Sequence, residues 1–477
     1  MALNRIAFGA ATLSAARIFQ LGASFVALPF LARMLTPSDF GLAALAMSMV
    51  TFFTYFGDAG LGRSLVRTSG ENTDEWSSAH WTVVVMTIGL GLLILALAWP
   101  ASIFFNEPRL TPIMATLAMA PVLMGLVEIP ASHLLQREKF QWLAGAEFFS
   151  ALGGIIVALW LAVAGFGAWA LVWQHLTQRI VKGLIINIAS GFRPRLVLKT
   201  SLLGDHFRFA RDTIGWSIMT FISRQSDTLI VGKFLGASTL GLYNIAVRVM
   251  QLPVNIFGGS LNSAIYPRLV KLREDPRALR QLVLSATMAQ AALVFPPIAA
   301  IAAASDAFFT LLLSDRWHGA GEIFTLLATA AAVQTVIGLN GSLLQAIGRT
   351  GARLRLTVEF AILWAVSAAI LAQFGIHAVA LGNSVVTLLY MPRLLQLYLA
   401  PMDCKVMDFV RALAQPTIVA LVIFIAHRLI IMTFPMDAWP EVGVAVLLTL
   451  AGYGAVLGLG WRTIMEQMKA LQAILAN

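Results

Sequence analysis

LARMLTPSDFGLAALA (31–46) and VGKFLGASTLGLYNIA (231–246) align without a gap, 200 positions apart. Leu35, Gly41, Leu42 and Ala46 face Leu235, Gly241, Leu242 and Ala246, and Arg33 faces Lys233. A second match, GFGAWAL (165–171) with GIHAVAL (375–381), is 210 positions apart. Between them Glu147-Phe148 corresponds to Glu359-Phe360 after a small length change. Each match is weak alone. Three in the same order, at nearly constant offset, define an internal repeat.

Composition says what is repeated. Of 477 residues, 59% are hydrophobic and 12% charged, where soluble domains carry about 25% charged residues. Mean hydropathy is +0.81. A soluble chain of this length needs far more polar surface to cover its core. A cytosolic enzyme and a disordered protein are both excluded, and a polytopic helical membrane protein remains. One cysteine, Cys404, leaves no disulfide framework and no cysteine metal site. The seven histidines include no pair at ligand spacing, and no G-x-x-x-x-G-K-[ST] loop is present. No cofactor is expected. The apolar run from the N-terminus to Leu31 is too long for a cleaved signal, so it reads as a retained first span.

A span takes about 20 mostly apolar residues. Fourteen segments qualify: 9–31, 39–57, 79–99, 111–129, 143–164, 167–188, 212–233, 239–262, 282–304, 321–345, 355–373, 376–395, 412–431 and 442–460. The weakest are 167–188, with Arg179 and Lys182, and 212–233, with Arg224 and Asp227. Loop charge checks the count. With the N-terminus inside, 23 of the 33 Lys and Arg lie at inner loops and span ends, and 5 lie outside. Short cytoplasmic loops are the cation-rich ones. Most of the net charge of +10 is therefore orientation.

The repeat pairs span two with eight, five with eleven and six with twelve. A shift of six spans is even, so both halves cross in the same sense, as a parallel repeat. The expected fold is all-α, with two six-helix lobes, two further C-terminal helices and a central cavity. The lobes cover 1–190 and 212–400, joined by a cytoplasmic linker at 191–211. Residues 401–477 hold the two extra spans and a cytoplasmic tail whose Ile464, Met468, Leu471 and Leu475 suit a short interfacial helix.

ARMLTPSDFGLAALAMSMVTFFTYFGDAGLG, DTLIVGKFLGASTLGLYNIAVRVMQLP and LLLSDRWHGAGEIFTLLA followed by NGSLLQAIGR resemble the polysaccharide or O-antigen flippases (Wzx type). That group belongs to the multidrug/oligosaccharidyl-lipid/polysaccharide exporter superfamily. The likeness runs over roughly residues 5–400. It implies a multi-pass protein of the bacterial inner membrane with both termini cytoplasmic. It also implies a transporter rather than an enzyme, carrying undecaprenyl-diphosphate-linked oligosaccharides between leaflets. Its partners would be the lipid-linked oligosaccharide, the bilayer, a polysaccharide polymerase and a chain-length regulator, with no nucleic acid. A multidrug exporter and a lipid II flippase of the same superfamily are the alternatives. A membrane-embedded glycosyltransferase would need a larger polar domain than the longest loop, 190–211, provides.

An ionisable group in hydrocarbon costs about 2.5–3.5 kcal/mol, so it normally faces a cavity or a partner. Five cations lie within spans: Arg17, Arg179, Lys182, Arg224 and Arg248. Arginine suits a diphosphate, because its planar fork engages two oxygens at once. Arg17, Arg224 and Arg248 are therefore the candidate diphosphate ligands. Arg224 and Asp227, three apart on one face, equally suit a neutralised pair. Arg179 and Lys182 suit snorkelling cations near a span end. Asp58, Glu147, Asp227 and Glu359 are candidates for Na+ or proton coupling, although Glu147 and Glu359 equally suit two equivalent structural positions.

Overall fold

A computed structural model describes residues 2–57, 60–68, 72–199 and 203–455. The tail after residue 455, with its expected interfacial helix, and Asp58 lie outside them. Every regular secondary-structure element among the described residues is helical. In order these are α1 (Ala2–Met34), α2 (Pro37–Gly57), α3 (Leu61–Thr68), α4 (Thr73–Phe105), α5 (Leu110–Leu117) and α6 (Met119–Gln136). Then come α7 (Phe140–Val163), α8 (Trp169–Ser190), α9 (Gly204–Lys271), α10 (Pro276–Ala303), α11 (Ser305–Leu312) and α12 (Ala320–Ile337). The last are α13 (Asn340–Ala346), α14 (Thr350–Leu371), α15 (Ile376–Leu399), α16 (Val406–Thr433) and α17 (Ala438–Ala455).

Among the described residues, 12 helical segments are long and apolar enough to cross a bilayer. Large apolar side chains such as Trp99, Trp160, Ile188 and Met432 stand mostly exposed on the helices. Water does not tolerate that much open apolar surface, and lipid does. The chain is a polytopic all-α membrane protein. Two places separate these 12 from the fourteen expected. Helix α8 carries Arg179 and Lys182 and is not among the twelve. The stretch Ile218–Ile256 counts once, yet its 39 residues would reach about 58 Å, roughly twice a hydrocarbon core. Gly236 divides it: its φ of 80° and ψ of 172° are not helical. The break falls between the expected spans 212–233 and 239–262.

By contact the chain forms two compact units, Met1–Gly241 and Leu242–Asn477. The first arm of α9, which the repeat counts with the second half, packs in the first unit. There Phe221 meets Phe52 with ring centroids 4.9 Å apart, and Ser48 donates to Gln225 at 2.8 Å.

The same pairings recur inside each unit. In the first, α4 packs on α6, α6 on α8, and α7 on α8. In the second, α10 packs on α12, α12 on α15, and α14 on α15. The second unit adds α16 against α10, where Arg280 and Asp408 meet at 2.6 Å. The junctions match too. Gly165 before α8 and Gly375 before α15 have φ of 79° and 96°, a conformation glycine adopts at little cost.

Candidate functional site

The repeated segment 31–46 is built around close backbone contact. Thr36 and Asp39 cap α2 reciprocally: the Thr36 amide donates to Asp39 Oδ2 at 2.9 Å, and the Asp39 amide donates to Thr36 Oγ1 at 3.3 Å. Asp39 Oδ1 also accepts from the Ala168 amide at 3.1 Å, at the start of α8. One carboxylate thus holds two helix N-termini, where its charge also complements the helix dipoles. A Cβ on Gly41 would lie 1.7 Å from the Ala237 carbonyl oxygen. A Cβ on Gly241 would lie 1.8 Å from the Pro37 carbonyl oxygen. Residue 41 therefore faces 237 while 241 faces 37, so the two copies of the motif cross each other reciprocally. Lys233 closes this region by donating to the Phe104 carbonyl and lying 4.5 Å from the Phe104 ring centroid.

The candidate coupling acids that are described have partners. Glu147 of α7 accepts from Lys182 Nζ of α8 at 2.6 Å. Glu359 of α14 accepts from Arg355 at 2.7 Å, from Arg393 of α15 at 3.3 Å, and from the Tyr390 hydroxyl at 3.1 Å. The repeat relates the two acids, Glu147 and Glu359, and each engages a cation on the next long helix, Lys182 of α8 and Arg393 of α15, although at the 210-residue offset Lys182 falls on Pro392, one position short of Arg393. Asp227 accepts from the Thr228 amide at 2.8 Å.

The five cations of the spans divide accordingly. Lys182 is tied to Glu147, and Arg179 Nε donates to His175 at 3.1 Å. Arg17 on α1 and Arg224 on the first arm of α9 are exposed, both in the first unit. Arg248, after the break in α9, is exposed in the second unit. Amides of the spans serve packing: Gln225 takes the Ser48 hydroxyl, and Asn262 donates to the Gly338 carbonyl at 3.3 Å.

Sequence reasoning passed over Asp39, whose second partner lies 129 residues away. Its first role was signalled by the Thr36-x-x-Asp39 capping pattern. Sequence reasoning read 191–199 as part of a linker and did not foresee that this segment lies along α4, held there by Ser77, Ser78 and Trp81.

A sequence model of the family described as "Polysaccharide biosynthesis protein" matches residues 30–322. The succinoglycan biosynthesis transport protein ExoT of Rhizobium meliloti is 26% identical over 314 residues, covering 66% of this chain and 64% of that protein. The lipopolysaccharide biosynthesis protein WzxC of Escherichia coli is 22% identical over 356 residues, covering 72% of this chain and 70% of that one. The solved structure of the lipid II flippase MurJ, in an inward closed conformation, shares the fold. Its TM-score is 0.75 at 15% identity, over 95% of this chain and 99% of that one.

Proposed function

The chain belongs to the polysaccharide biosynthesis protein family, and from that premise we propose that it is a flippase for lipid-linked oligosaccharides. Its cargo in this reading is an undecaprenyl-diphosphate-linked repeat unit, destined for O-antigen, capsule or exopolysaccharide. The observation that carries the reading is the family match over residues 30–322, supported by relatives named for the transport or biosynthesis of surface polysaccharides. The chain is a transporter and not an enzyme. It resides in the bacterial inner membrane with cytoplasmic termini, an orientation supported by the cation count of its loops. Fourteen crossings are reached when α8 and both arms of α9 are counted. The lobes 1–190 and 212–400 alternate access to a central cavity, and a polymerase and chain-length regulator take the product onward.

Arg17, Arg224 and Arg248 hold the diphosphate. At membrane depth an exposed guanidinium is costly against hydrocarbon and is stabilised by water or an anion. Asp58, Glu147, Asp227 and Glu359 are the carboxylates for Na+ or proton coupling in this reading, and Glu147 and Glu359 also engage cations of neighbouring helices.

Arg17→Ala, Arg224→Ala and Arg248→Ala test the site. Each is expected to stop polysaccharide assembly while membrane insertion stays normal. Wild-type export from all three overturns the diphosphate assignment. A viable deletion with altered surface polysaccharide and unchanged drug sensitivity separates this cargo from lipid II and from drugs.

A further inference from the structure

In the second unit, the second arm of α9 packs on α10 along a seam that repeats with the helix. Leu261, Ile265, Leu269 and Leu272 follow one another at steps of four, four and three residues, and share a core with Leu282, Val283 and Ala286 of α10. Beside that seam Asn255, Gly258 and Asn262 lie on one face of the same arm, at steps of three and four.

The polar face is matched at one step and mismatched at the next. Asn262 Nδ2 donates to the Gly338 carbonyl at 3.3 Å, and its Oδ1 accepts from the Ser342 hydroxyl at 3.2 Å. One turn earlier Gly258 meets Gln290 of α10, whose Nε2 would lie 2.8 Å from a Cβ at that position. Gln290 is 1% exposed, and neither its Nε2 nor its Oε1 has a hydrogen-bond partner among the described residues. A buried carboxamide left unpaired is costly, and glycine has no side chain to offer it. Asn255, the preceding residue of that face, is exposed.

We propose that this is a sliding joint with two registers, and that in the other register Asn255 replaces Gly258 beside Gln290. This rests on the reading of the chain as an alternating-access flippase. A shift of one turn, about 5.4 Å toward the C-terminal end of the arm, carries Asn255 to the place of Gly258. The same shift carries Leu261 to the place of Ile265, Ile265 to that of Leu269, and Leu269 to that of Leu272. Each apolar residue is thus replaced by one of like volume, which a core tolerates. Two carboxamides can each donate and accept, so Gln290 gains the partner it lacks here. Asn262 gives up its two bonds and moves toward Tyr266 and Pro267, which are exposed, so water can take their place. Bonds formed offset bonds released, which keeps the registers close in energy, and a packed seam favours discrete positions over those between. The arm has room to move at both ends, since Gly236 before it is not helical and a turn at 272–274 follows it. Gln290 and Asn255 are positioning residues in this joint, and neither has to touch the cargo.

Disulfide trapping of the full chain in membranes, with Cys404→Ser as background, reads the register without cargo or export. Gly258→Cys/Gln290→Cys reports the register described, and Asn255→Cys/Gln290→Cys the shifted one. Both pairs are expected to cross-link on mild oxidation. Trapping of the 258 pair alone overturns the joint and leaves the flippase reading standing. Asn262→Cys/Ser342→Cys is a second reporter of the register described. Adding Asn255→Leu is expected to raise its cross-linking about fivefold, the population shift of about one net hydrogen bond. Asn255→Leu in the otherwise native chain is expected to lower export, and Asn255→Gln, which keeps the carboxamide, to preserve it. Because Asn255 is exposed here, both should melt as the wild type does. Equal loss of export or of melting in the two variants overturns the joint, as does wild-type export from Asn255→Leu with cross-linking unchanged. Both registers trapped in a chain whose deletion leaves surface polysaccharide unaltered would keep the joint and overturn the flippase reading.

Discussion

Replacing Gly41 by alanine sets two effects against each other. Gly41 lies inside α2, and helix propensity alone favours alanine over glycine by about 1 kcal/mol. Packing opposes it. The added methyl carbon would sit 1.7 Å from the Ala237 carbonyl oxygen, where ordinary contact begins near 3.4 Å. The helices must part by about 1.7 Å at that point, the difference of those two distances. The obstacle is backbone, so no side chain can swing aside. Overpacking of this kind costs about 1–3 kcal/mol, and more when main chain has to move, so the net effect is destabilising. The reciprocal geometry adds a sharper expectation. Gly241→Ala meets the Pro37 carbonyl oxygen at 1.8 Å and should lose about as much as Gly41→Ala. The double variant should lose clearly less than the sum, because one separation makes room for both methyls. Thermal unfolding of the purified proteins, followed by size-exclusion of the surviving folded fraction, measures all three. Gly22→Ala and Gly89→Ala, whose added carbons meet nothing within 4 Å, serve as references and should be neutral or slightly stabilising. A Gly41→Ala protein as stable as the Gly22→Ala protein, or strictly additive losses in the double variant, would refute the crossing.

Asp39→Ala removes a cap from α2 and from α8 together and should cost about 2 kcal/mol, with Asp39→Asn costing about half; melting temperatures give the ratio. Glu147→Gln leaves Lys182 charged among helices and should cost about 1–2 kcal/mol, discounted for the partial exposure of the pair. Adding Lys182→Met should recover much of that loss, which folded yield in detergent will show. Glu107 lies between spans, and the Arg109 guanidinium beside it holds its carboxyl below the usual glutamate range. Its lowered value means that its contribution is complete above the ordinary glutamate pKa and fades as pH falls through the lowered one. Glu107→Gln and wild type should therefore differ slightly at neutral pH and converge in acid, as melting across a pH series will reveal.

What could be read from the chain beforehand was whatever is written locally. Span length and apolarity are local, so the helices fell close to their expected places. The glycine signals are local as well, and Gly165, Gly236 and Gly375 all stand at junctions. The ambiguity at α8 was legible too, because Arg179 and Lys182 lower its apolarity whatever they touch. Partners distant in sequence were not legible. Nothing near Asp39 announces Ala168, and nothing near Lys182 announces that Glu147, 35 residues earlier, is within reach. The path of residues 191–199 along α4 was hidden for the same reason, since the segment forms no helix and borrows two serines of α4 as its partners.

The repeat separates residues engaged in structure from the three arginines proposed for the diphosphate. Residues that recur in both halves are the ones engaged in structure: Gly41 and Gly241 in their crossing, Gly165 and Gly375 at their turns, Glu147 and Glu359 each in an ion pair with a cation of another helix. The three open arginines behave otherwise. Carried across the repeat at the 200-residue offset, Arg17 falls on Ser217, Arg224 on Ser24 and Arg248 on Ser48. Each arginine thus aligns in sequence with a serine of the other half. A scaffold of two matched halves gains from equivalent contacts, and selection for stability alone would keep both copies alike. A cargo with a charged end and a sugar end is not symmetric, and a site that orients it must break the match where they meet. If so, placing arginine at Ser24 or Ser217 would restore symmetry and keep the fold, yet impair export. Export at the wild-type level from both such variants would show that the asymmetry carries no function.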